Sequence, residues 1–412
     1  MSSRMQSSHG SAERPYEIIP GRVYYVALRA NPRQTAKAHY FSTDNELVYW
    51  NFFLDFGPLN LGQLFRFCQK LNSKLNDRRL ADKKIYYYSS THSHRRTNSV
   101  TMICAYSMLY LGLTPEEAFA PFKDAYPPFP PFHDASPCVC TYKLTILGVL
   151  RGIYKAREAG FFSFDMFDCD EYEHFEKVEN GDLSWIAYNK ICAFAGPHNT
   201  HNSSAEGYLT LTPEDYIPYF KKKNVGLVVR LNKKYYDEGR FIRAGIRHKE
   251  FYYLDGSTPP DHLLHRVIDS FETEPNAIAV HCKAGLGRTG TCIGCWAMKH
   301  YGFTAEEIIG WLRVCRPGSV IGPQQHYLQQ MQPIMWRLGD EMRAKQNKKS
   351  SSKSGSSGSN NMNGMSYGVG NMSISDKDLA SMSQGDHLRS RKSPQSNKSP
   401  SGRNSNNAVI YK

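Results

Sequence analysis

His281-Cys282-Lys283-Ala284-Gly285-Leu286-Gly287-Arg288-Thr289-Gly290 reads His-Cys-x5-Arg-Thr-Gly. A cysteine and an arginine six positions apart, with small residues between them, describe a loop that wraps a phosphate. The apolar run Ala277-Ile278-Ala279-Val280 before it predicts a strand, and the segment from Arg288 through Met298 predicts a helix. The start of that helix aims backbone N–H groups and the positive end of its dipole into the loop. Gly285, Gly287 and Gly290 allow the tight path and the close approach to an anion. Cys282 is the candidate nucleophile, and a thiol with an ordinary pKa near ~8.5 must be acidified to serve. Arg288 is the charge clamp, its planar fork matched to two phosphate oxygens. Thr289 is placed to donate its hydroxyl to the sulfur, and His281 to hold the loop from behind.

The loop thus implies phosphate-ester hydrolysis through a phosphocysteine. A leaving group needs a proton, and Asp255 is the candidate acid. It stands where the apolar run Phe251-Tyr252-Tyr253-Leu254 enters a Gly/Ser/Pro loop, which predicts a carboxyl at a strand's end on a mobile segment. The same group acts as base in the second step. Farther along, Gly318-Ser319-Val320-Ile321-Gly322-Pro323-Gln324-Gln325-His326 offers the amides of Gln324 and Gln325 to position the hydrolytic water.

Other features bound the reading. The 412 residues suffice for two domains and some tail, and a hydrophobic content of 40% is ample for folded cores. Ten cysteines and no signal-peptide pattern predict a reducing compartment. Cys138-x-Cys140 and Cys292-x-x-Cys295 raise zinc or a redox pair, but no histidine cluster completes either in the sequence, so both are expected to pack. No apolar run approaches the ~20 residues of a membrane helix. The net charge of +13 divides into +7 from Gln346 onward, where ten Lys/Arg face three Asp/Glu, and +6 before it. That remainder fits an anionic substrate as well as nucleic acid, and no base-reading motif appears.

The first half carries a faint copy of the second. Leu111-Gly112-Leu113-Thr114-Pro115-Glu116-Glu117-Ala118-Phe119 parallels Tyr301-Gly302-Phe303-Thr304-Ala305-Glu306-Glu307-Ile308-Ile309 at an offset of 190. Without gaps, this sets His92 opposite Cys282 and Asn98 opposite Arg288, after an Ile85-to-Tyr88 strand. Leu54-Asp55-Phe56-Gly57 echoes Leu254-Asp255-Gly256. The first half is therefore expected to be the same fold with a dead site, His92, His94, Arg95 and Arg96 decorating a degenerate loop. A helix over 144–154 joins the halves.

Between them Asp165, Asp168, Asp170, Glu171, Glu173, Glu176, Glu179 and Asp182 fall within eighteen residues, opposed only by Lys177. Such a run is either a solvated linker or a groove selecting a cationic peptide. Interleaved Tyr172, Phe175 and Trp185 favour an ordered segment. Val225-to-Leu231 reads as a buried parallel strand, with helices following over 305–315 and 325–345. From Gln346 the composition turns to Ser, Asn, Gly and Lys. Ser393-Pro394 and Ser399-Pro400 in it are minimal proline-directed kinase sites, and its basic run is a weak signal for nuclear import.

Residues 251–259, 281–291, 316–326 and 170–182 together resemble the cell-division-cycle-fourteen phosphatases, dual-specificity members of the protein-tyrosine-phosphatase superfamily. The resemblance covers roughly 14–344. It implies Cys282 as nucleophile, Asp255 as general acid, Arg288 as clamp, and Lys283, Ala284, Gly285, Leu286, Gly287 and Thr289 as the rest of the phosphate loop. It also implies an acidic substrate groove of Glu173, Glu176 and Asp182, and no metal or cofactor. Implied partners are proteins phosphorylated at Ser-Pro or Thr-Pro with Lys or Arg nearby, as cyclin-dependent kinases create. Nucleic acid and membrane are not required, and the implied location is nuclear and cytoplasmic.

The expected fold is α/β: two tandem phosphatase-like domains, each a mostly parallel sheet flanked by helices, joined by a helix and an acidic linker. The expected divisions are 1–14 disordered, 15–160 non-catalytic, 161–184 linker and groove, 185–345 catalytic, and 346–412 disordered tail. A phosphoinositide phosphatase and an RNA 5′-triphosphatase share this loop type. The lipid-directed kind carries a second lysine where Leu286 stands, and the acidic run opposes both anionic membrane and RNA. A non-catalytic scaffold suits the first half alone.

Overall fold

Runs such as Val225–Arg230 and Ala277–His281 are apolar on both faces, and only the middle of a parallel sheet buries a strand that way. The structure, a computed structural model, describes residues 14–203, 209–351 and 384–392. It contains two mixed sheets. The first holds β1 (Tyr16–Ile19), β2 (Val23–Leu28), β3 (Ala38–Phe41) and β4 (Lys84–Ser90) in the order β1-β2-β4-β3. The second holds β5 (Leu183–Ala187), β6 (Ile191–Phe194), β7 (Val225–Arg230), β8 (Arg247–Glu250) and β9 (Ala277–His281) in the order β5-β6-β9-β7-β8. In each, the first two strands pair antiparallel and every other pairing is parallel. The four-strand frame repeats, β4 and β9 each sitting between the two parallel neighbours, so the tandem copy expected from sequence is present in the topology.

The copies differ at the loop. Two residues, Thr91 and His92, separate β4 from the helix Ser93–Tyr110, whereas five, Cys282 to Leu286, separate β9 from the helix Gly287–Tyr301. The distance from strand end to helix end is the same in both, Ser90 to Tyr110 and His281 to Tyr301, so the offset carries through and the first half winds into helix the positions that the second keeps as loop. The first loop is too short to encircle an anion. Asn98 donates to Phe56 O instead (2.7 Å), His94 stacks on Phe56 at 3.9 Å between centroids, and Arg96 donates to Pro127 O (3.0 Å). Asp55 closes a turn, accepting from Phe52 N, Phe53 N and the Tyr49 hydroxyl.

The helix expected to join the halves runs Ile146–Glu158, with Thr145 capping the Gly148 amide. It packs against Ala305–Cys315 with small residues at the crossing. Gly152 lies against Glu307 O, and a Cβ on Gly310 would sit 2.9 Å from Val149 Cα. One apolar core runs across both sheets as a result. The Trp311 indole, 1% exposed, donates to Ile186 O (2.9 Å).

Two sequence expectations change. The segment after β8 is not strand: β8 ends at Glu250, and 251–254 continues beside the end of β7, with Phe251 N donating to Arg230 O (2.9 Å). The region from Gln346 is not uniformly tail either. The helix Pro323–Ser351 extends into it, and a second helix, Gln384–Arg391, buries Leu388 at 2% exposure. The composition there is polar on average, yet Arg389 is buried as well, at 4% exposure. Met1 to Ser11, Ser393-Pro394 and Ser399-Pro400 lie outside the described residues. Among the described residues no helix is long and apolar enough to cross a membrane.

Candidate active site

The phosphate loop, Cys282 to Gly287, leaves the end of β9 and enters the helix Gly287–Tyr301, in the strand–loop–helix context the sequence predicted. Cys282 and Arg288 are both 3% exposed. Gly285 takes φ +68° and lies directly against Phe194 O, so any side chain there would collide with β6.

Arg288 Nη2 pairs with Asp255 Oδ1 at 3.0 Å, and Nη1 donates to Tyr253 O at 2.9 Å. The Tyr253 hydroxyl returns the contact, donating to Arg288 O (3.0 Å). Burial works against the charge on Arg288, but Cys282 and Asp255 beside it outweigh that and hold its pKa above the ordinary value. Two buried donors in the loop, Arg288 Nε and Thr289 Oγ1, have no hydrogen-bond partner among the described residues. The expected bond from Thr289 to the sulfur is accordingly not formed.

His281 stands behind the loop, as predicted. It is fully buried, its Nδ1 lies 2.9 Å from Cys282 O, and its Nε2 lies 2.8 Å from the Tyr236 hydroxyl. Burial pushes its pKa far below the usual imidazole value, so the ring is neutral. A neutral ring facing a carbonyl must carry its proton on Nδ1, which makes Nε2 the acceptor from Tyr236. His248 Nε2, 2.8 Å from the same hydroxyl, is then its donor.

Sequence reasoning missed Arg316. It is fully buried, donating from Nε to Gly285 O and from Nη2 to Ala284 O, both at 2.8 Å. Those bonds fix two consecutive carbonyls of the loop. Nη1 pairs with Asp182 Oδ1 at 2.9 Å. Burial raises the Asp182 carboxyl, but Arg316 and Lys392 outweigh it and keep it below its usual range. The available signal was an arginine next to Pro317 at the end of a helix, too common to single out.

The two glutamines separate. Gln324 lies at the loop: its Oε1 would sit 2.7 Å from a Cβ on Gly287, and its Nε2 donates to Ser257 O (3.2 Å), two residues past Asp255. Gln325 points into a buried network instead, accepting from Arg313 Nη2 (2.7 Å) and donating to Gly322 O (3.2 Å). Adjacent helical residues face different directions, so one helix start cannot aim both at one water.

The acidic residues also divide. Glu176 and Asp182 converge on Lys392, at 3.7 and 2.8 Å. Glu173 does not join them. It pairs with Arg66 at 2.9 Å, beside Asp170. An apolar cup of Phe52, Ala135, Ala284, Leu286 and Ile321 borders the loop, with Phe53 at its edge and Leu388 seated in it. Three of those residues come from the first half of the chain, which sequence reasoning left without a part in the site.

His133, Asp134 and Cys140 lie close enough together to suggest a metal, with one histidine and without Cys138. Their donors are already engaged: Cys140 N–H binds His133 Nε2 (3.1 Å), His133 Nδ1 meets Asp134 O (2.6 Å), and Asp134 Oδ2 accepts from Gly322 N (2.6 Å). The cluster braces the loop before Gln324. Cys292 and Cys295 are buried, and burial pushes the Cys292 thiol up to about 12.

A family model described as the N-terminal half of dual specificity protein phosphatases matches residues 17–156. Another, described as the dual specificity phosphatase catalytic domain, matches 262–334, beginning past Asp255. Dual specificity protein phosphatase CDC14A of Homo sapiens is 48% identical over 394 residues, 92% of this chain and 66% of its own length. CDC14B of Mus musculus is 46% identical over 330 residues, 80% of this chain and 68% of its own. CDC14C of Homo sapiens is 45% identical over 328 residues, 80% of this chain and 73% of its own. This chain spans 65% of the mouse and 66% of the human CDC14A.

Proposed function

The chain belongs to the CDC14 family of dual-specificity protein phosphatases, and from that premise we propose that it hydrolyses phosphoserine, phosphothreonine and phosphotyrosine in proteins. The observation that carries the reading is the loop with two buried donors, Arg288 Nε and Thr289 Oγ1, that have no partner among the described residues, beside a buried cysteine and a carboxyl. Native proteins satisfy buried polar groups, and a bound oxyanion satisfies these.

Cys282 attacks phosphorus as thiolate, forming the S–P bond while the P–O bond to the substrate breaks. Asp255 gives the departing oxygen its proton. Water then attacks the phosphocysteine, Asp255 takes the water's proton, Gln324 orients the water, and the thiolate leaves. Arg288 and the loop amides hold the equatorial oxygens throughout.

The substrate class follows from what surrounds the loop. The cup of Phe52, Ala135, Leu286 and Ile321 suits a proline ring next to the phosphorylated residue, and Glu176 with Asp182 suits a lysine or arginine beyond it. Leu286 is fully buried in that cup, which leaves no cation there for a polyphosphorylated lipid head group. Residues 15–160 then serve as a non-catalytic unit that lends the cup its wall, and 185–345 as the catalytic unit, with the linker 161–184 supplying the acids. Reversal of cyclin-dependent-kinase phosphorylation during cell division, in nucleus and cytoplasm, goes with this reading.

The test is metal-free, reduced steady-state turnover of Ser(P)-Pro-x-Lys and Ser(P)-Pro-x-Glu peptides, with Cys282→Ser as the blank. Fast turnover of the lysine peptide alone supports both chemistry and groove. Failure on both, with activity on a phosphoinositide, overturns the substrate class.

A further inference from the structure

We propose that the outward face of the first sheet binds single-stranded nucleic acid, its bases on a row of tyrosines and its phosphates on the cations beside them. This activity is separate from the phosphatase chemistry and goes beyond it. The other face of the sheet is the covered one. There Val23, Tyr25, Phe41, Ile85 and Tyr87 join the apolar core, and Tyr87 meets Phe67 of the helix Leu61–Asn76 at 4.9 Å between centroids. Alternate residues of a strand point the opposite way, and here they are Tyr24, Tyr86 and Tyr40. These three are half-buried and belong to no apolar cluster. Register sets them in one row, Tyr24 beside Tyr86 and Tyr86 beside Tyr40. Their rings stack at 5.1 and 4.8 Å with planes within 22° of each other. Tyr86 is covered on both sides, and Lys84 Nζ lies over Tyr24 at 5.4 Å. Tyr40 stands on the edge strand β3, and among the described residues no ring or cation covers its outer side.

Charge chooses the occupant. Residues 15–160 hold eighteen Lys/Arg against eleven Asp/Glu, a surplus of +7, while the rest of the chain before Gln346 sums to −1. The basic excess therefore lies in the half without the phosphate loop. Arg29, Arg33 and Lys37 fall in a stretch with no acid between Arg22 and Thr43. All three are exposed, and the next acids along the chain, Asp44 and Glu46, are taken by Arg95 and Lys70. Gln34 fastens this stretch beside the tyrosine row, accepting from Tyr40 N (2.9 Å) and donating to Tyr40 O (2.7 Å). Arg33 is its neighbour in the chain, so a cation stands next to the free ring. The one acid in the row, Glu17, is already engaged, accepting from the Tyr24 hydroxyl (2.9 Å) and from Gly21 N (2.7 Å). An acidic peptide would use the cations but has no planar group for Tyr40. Planar bases strung on phosphates use both, and only an unpaired strand leaves its bases free to stack. Such stacking tolerates any sequence, in keeping with a chain that carries no base-reading motif. A face of this kind holds the phosphatase beside phosphoproteins assembled on the same strand.

The test is fluorescence anisotropy of the full chain with labelled oligouridine and oligodeoxythymidine of about twelve nucleotides, and with a labelled oligoglutamate of equal charge. The variants are Tyr40→Ala, Tyr40→Trp and Arg33→Ser/Lys37→Ser, all in the full chain. None of these residues belongs to the phosphate loop, the acid, the groove or the cup, so turnover of p-nitrophenyl phosphate should stay at the parent value and report that each variant is folded. Tyr40→Ala is expected to weaken nucleic-acid binding by about tenfold and Tyr40→Trp to restore it, with oligoglutamate indifferent to both. The double serine variant should also lose about tenfold, and its salt dependence should flatten by about 1–2 in logarithmic slope. Tighter binding of oligouridine identifies RNA as the ligand, and tighter binding of oligodeoxythymidine identifies DNA. Unchanged affinity in Tyr40→Ala and in the double serine variant assigns the binding to the basic residues after Gln346 and overturns the proposal. Oligoglutamate bound as tightly as the nucleic acids overturns it too, and either result leaves the phosphatase reading standing.

Discussion

Replacing Arg316 with methionine tests how the phosphate loop is built. Methionine keeps much of the side chain's apolar stem and removes every bond it makes. The bonds lost are those to Gly285 O and Ala284 O at 2.8 Å, to Asp182 Oδ1 at 2.9 Å and to Ser184 Oγ at 3.4 Å. Breaking a buried ion pair by removing one partner costs about 3–5 kcal/mol, and each stranded carbonyl about 1–3 more. These overlap, and Lys392 still pairs with Asp182 at 2.8 Å, so the expected loss is about 4 kcal/mol. That is a large share of a total of roughly 5–15 kcal/mol. The double variant Arg316→Met/Asp182→Leu also removes the stranded carboxylate and should recover about 1–3 kcal/mol of it. Kinetically, freed carbonyls no longer fix the loop and its amides, and loss of even one such donor lowers kcat by about a hundredfold or more. Urea unfolding followed by tryptophan fluorescence gives the first quantity, and turnover of an aryl phosphate the second. A stability loss under about 1 kcal/mol with turnover within about threefold of the parent would refute the claim that Arg316 builds the loop.

Asp255→Asn should lower turnover of a phosphoserine peptide by about 10²–10⁴ and that of p-nitrophenyl phosphate far less, because only the poor leaving group needs the proton; equal losses in matched kinetics contradict the assignment. Acid should weaken the catalytic sheet's support: burial lowers the His281 pKa far below 6.5 and that of His248 to about 4. Both are bases with folded values below their unfolded ones, so their stability is complete above pH 6.5 and falls as pH drops, His248's part between 6.5 and about 4. The urea midpoint is expected to fall from pH 7 to 5, and His248→Gln to flatten that slope. Glu176→Gln should cost a Ser(P)-Pro-x-Lys peptide about tenfold in kcat/KM while leaving an aryl phosphate unchanged, and a parallel loss on both would remove Glu176 from the groove.

The nucleophile loop was legible because everything it needs is contiguous: strand, cysteine, glycines, arginine and helix follow one another from 277 to 301. Asp255 was legible by its turn chemistry, although the chain reaches it without a strand. What escaped was whatever depends on distance in three dimensions. A constant offset between the halves cannot reveal that one loop keeps five residues and the other two, since the shorter loop comes from a helix that begins earlier and leaves the count from strand end to helix end unchanged. Arg316 earns its role from carbonyls about thirty residues away, and the cup draws Phe52 and Ala135 from the other half of the chain. The segment 384–392 escaped because average composition hides a single leucine.

The acidic linker shows why charge alone could not apportion the site. Its run is one feature in sequence and several in space. Asp168 caps the helix Cys169–Glu176 by accepting from Glu171 N at 2.8 Å. Asp170 and Glu173 hold Arg66 on the helix Leu61–Asn76, at 2.7 and 2.9 Å. Glu171 takes Lys223 at 2.7 Å and the Tyr219 hydroxyl at 2.8 Å, pinning the linker to the second sheet's own helix. Four of the eight acids are thus spent on holding the linker in place, and what they hold in place is the end that carries Glu176 and Asp182. Asp182 then has two obligations at once, to Arg316 under the phosphate loop and to a cation in the cleft. A cation bound at Asp182 is therefore two ion pairs removed from the carbonyls of Ala284 and Gly285. On the proposed groove, selection of substrate and the shape of the loop share one carboxylate, so a change at Asp182 is expected to alter turnover of every substrate, and one at Glu176 preference alone.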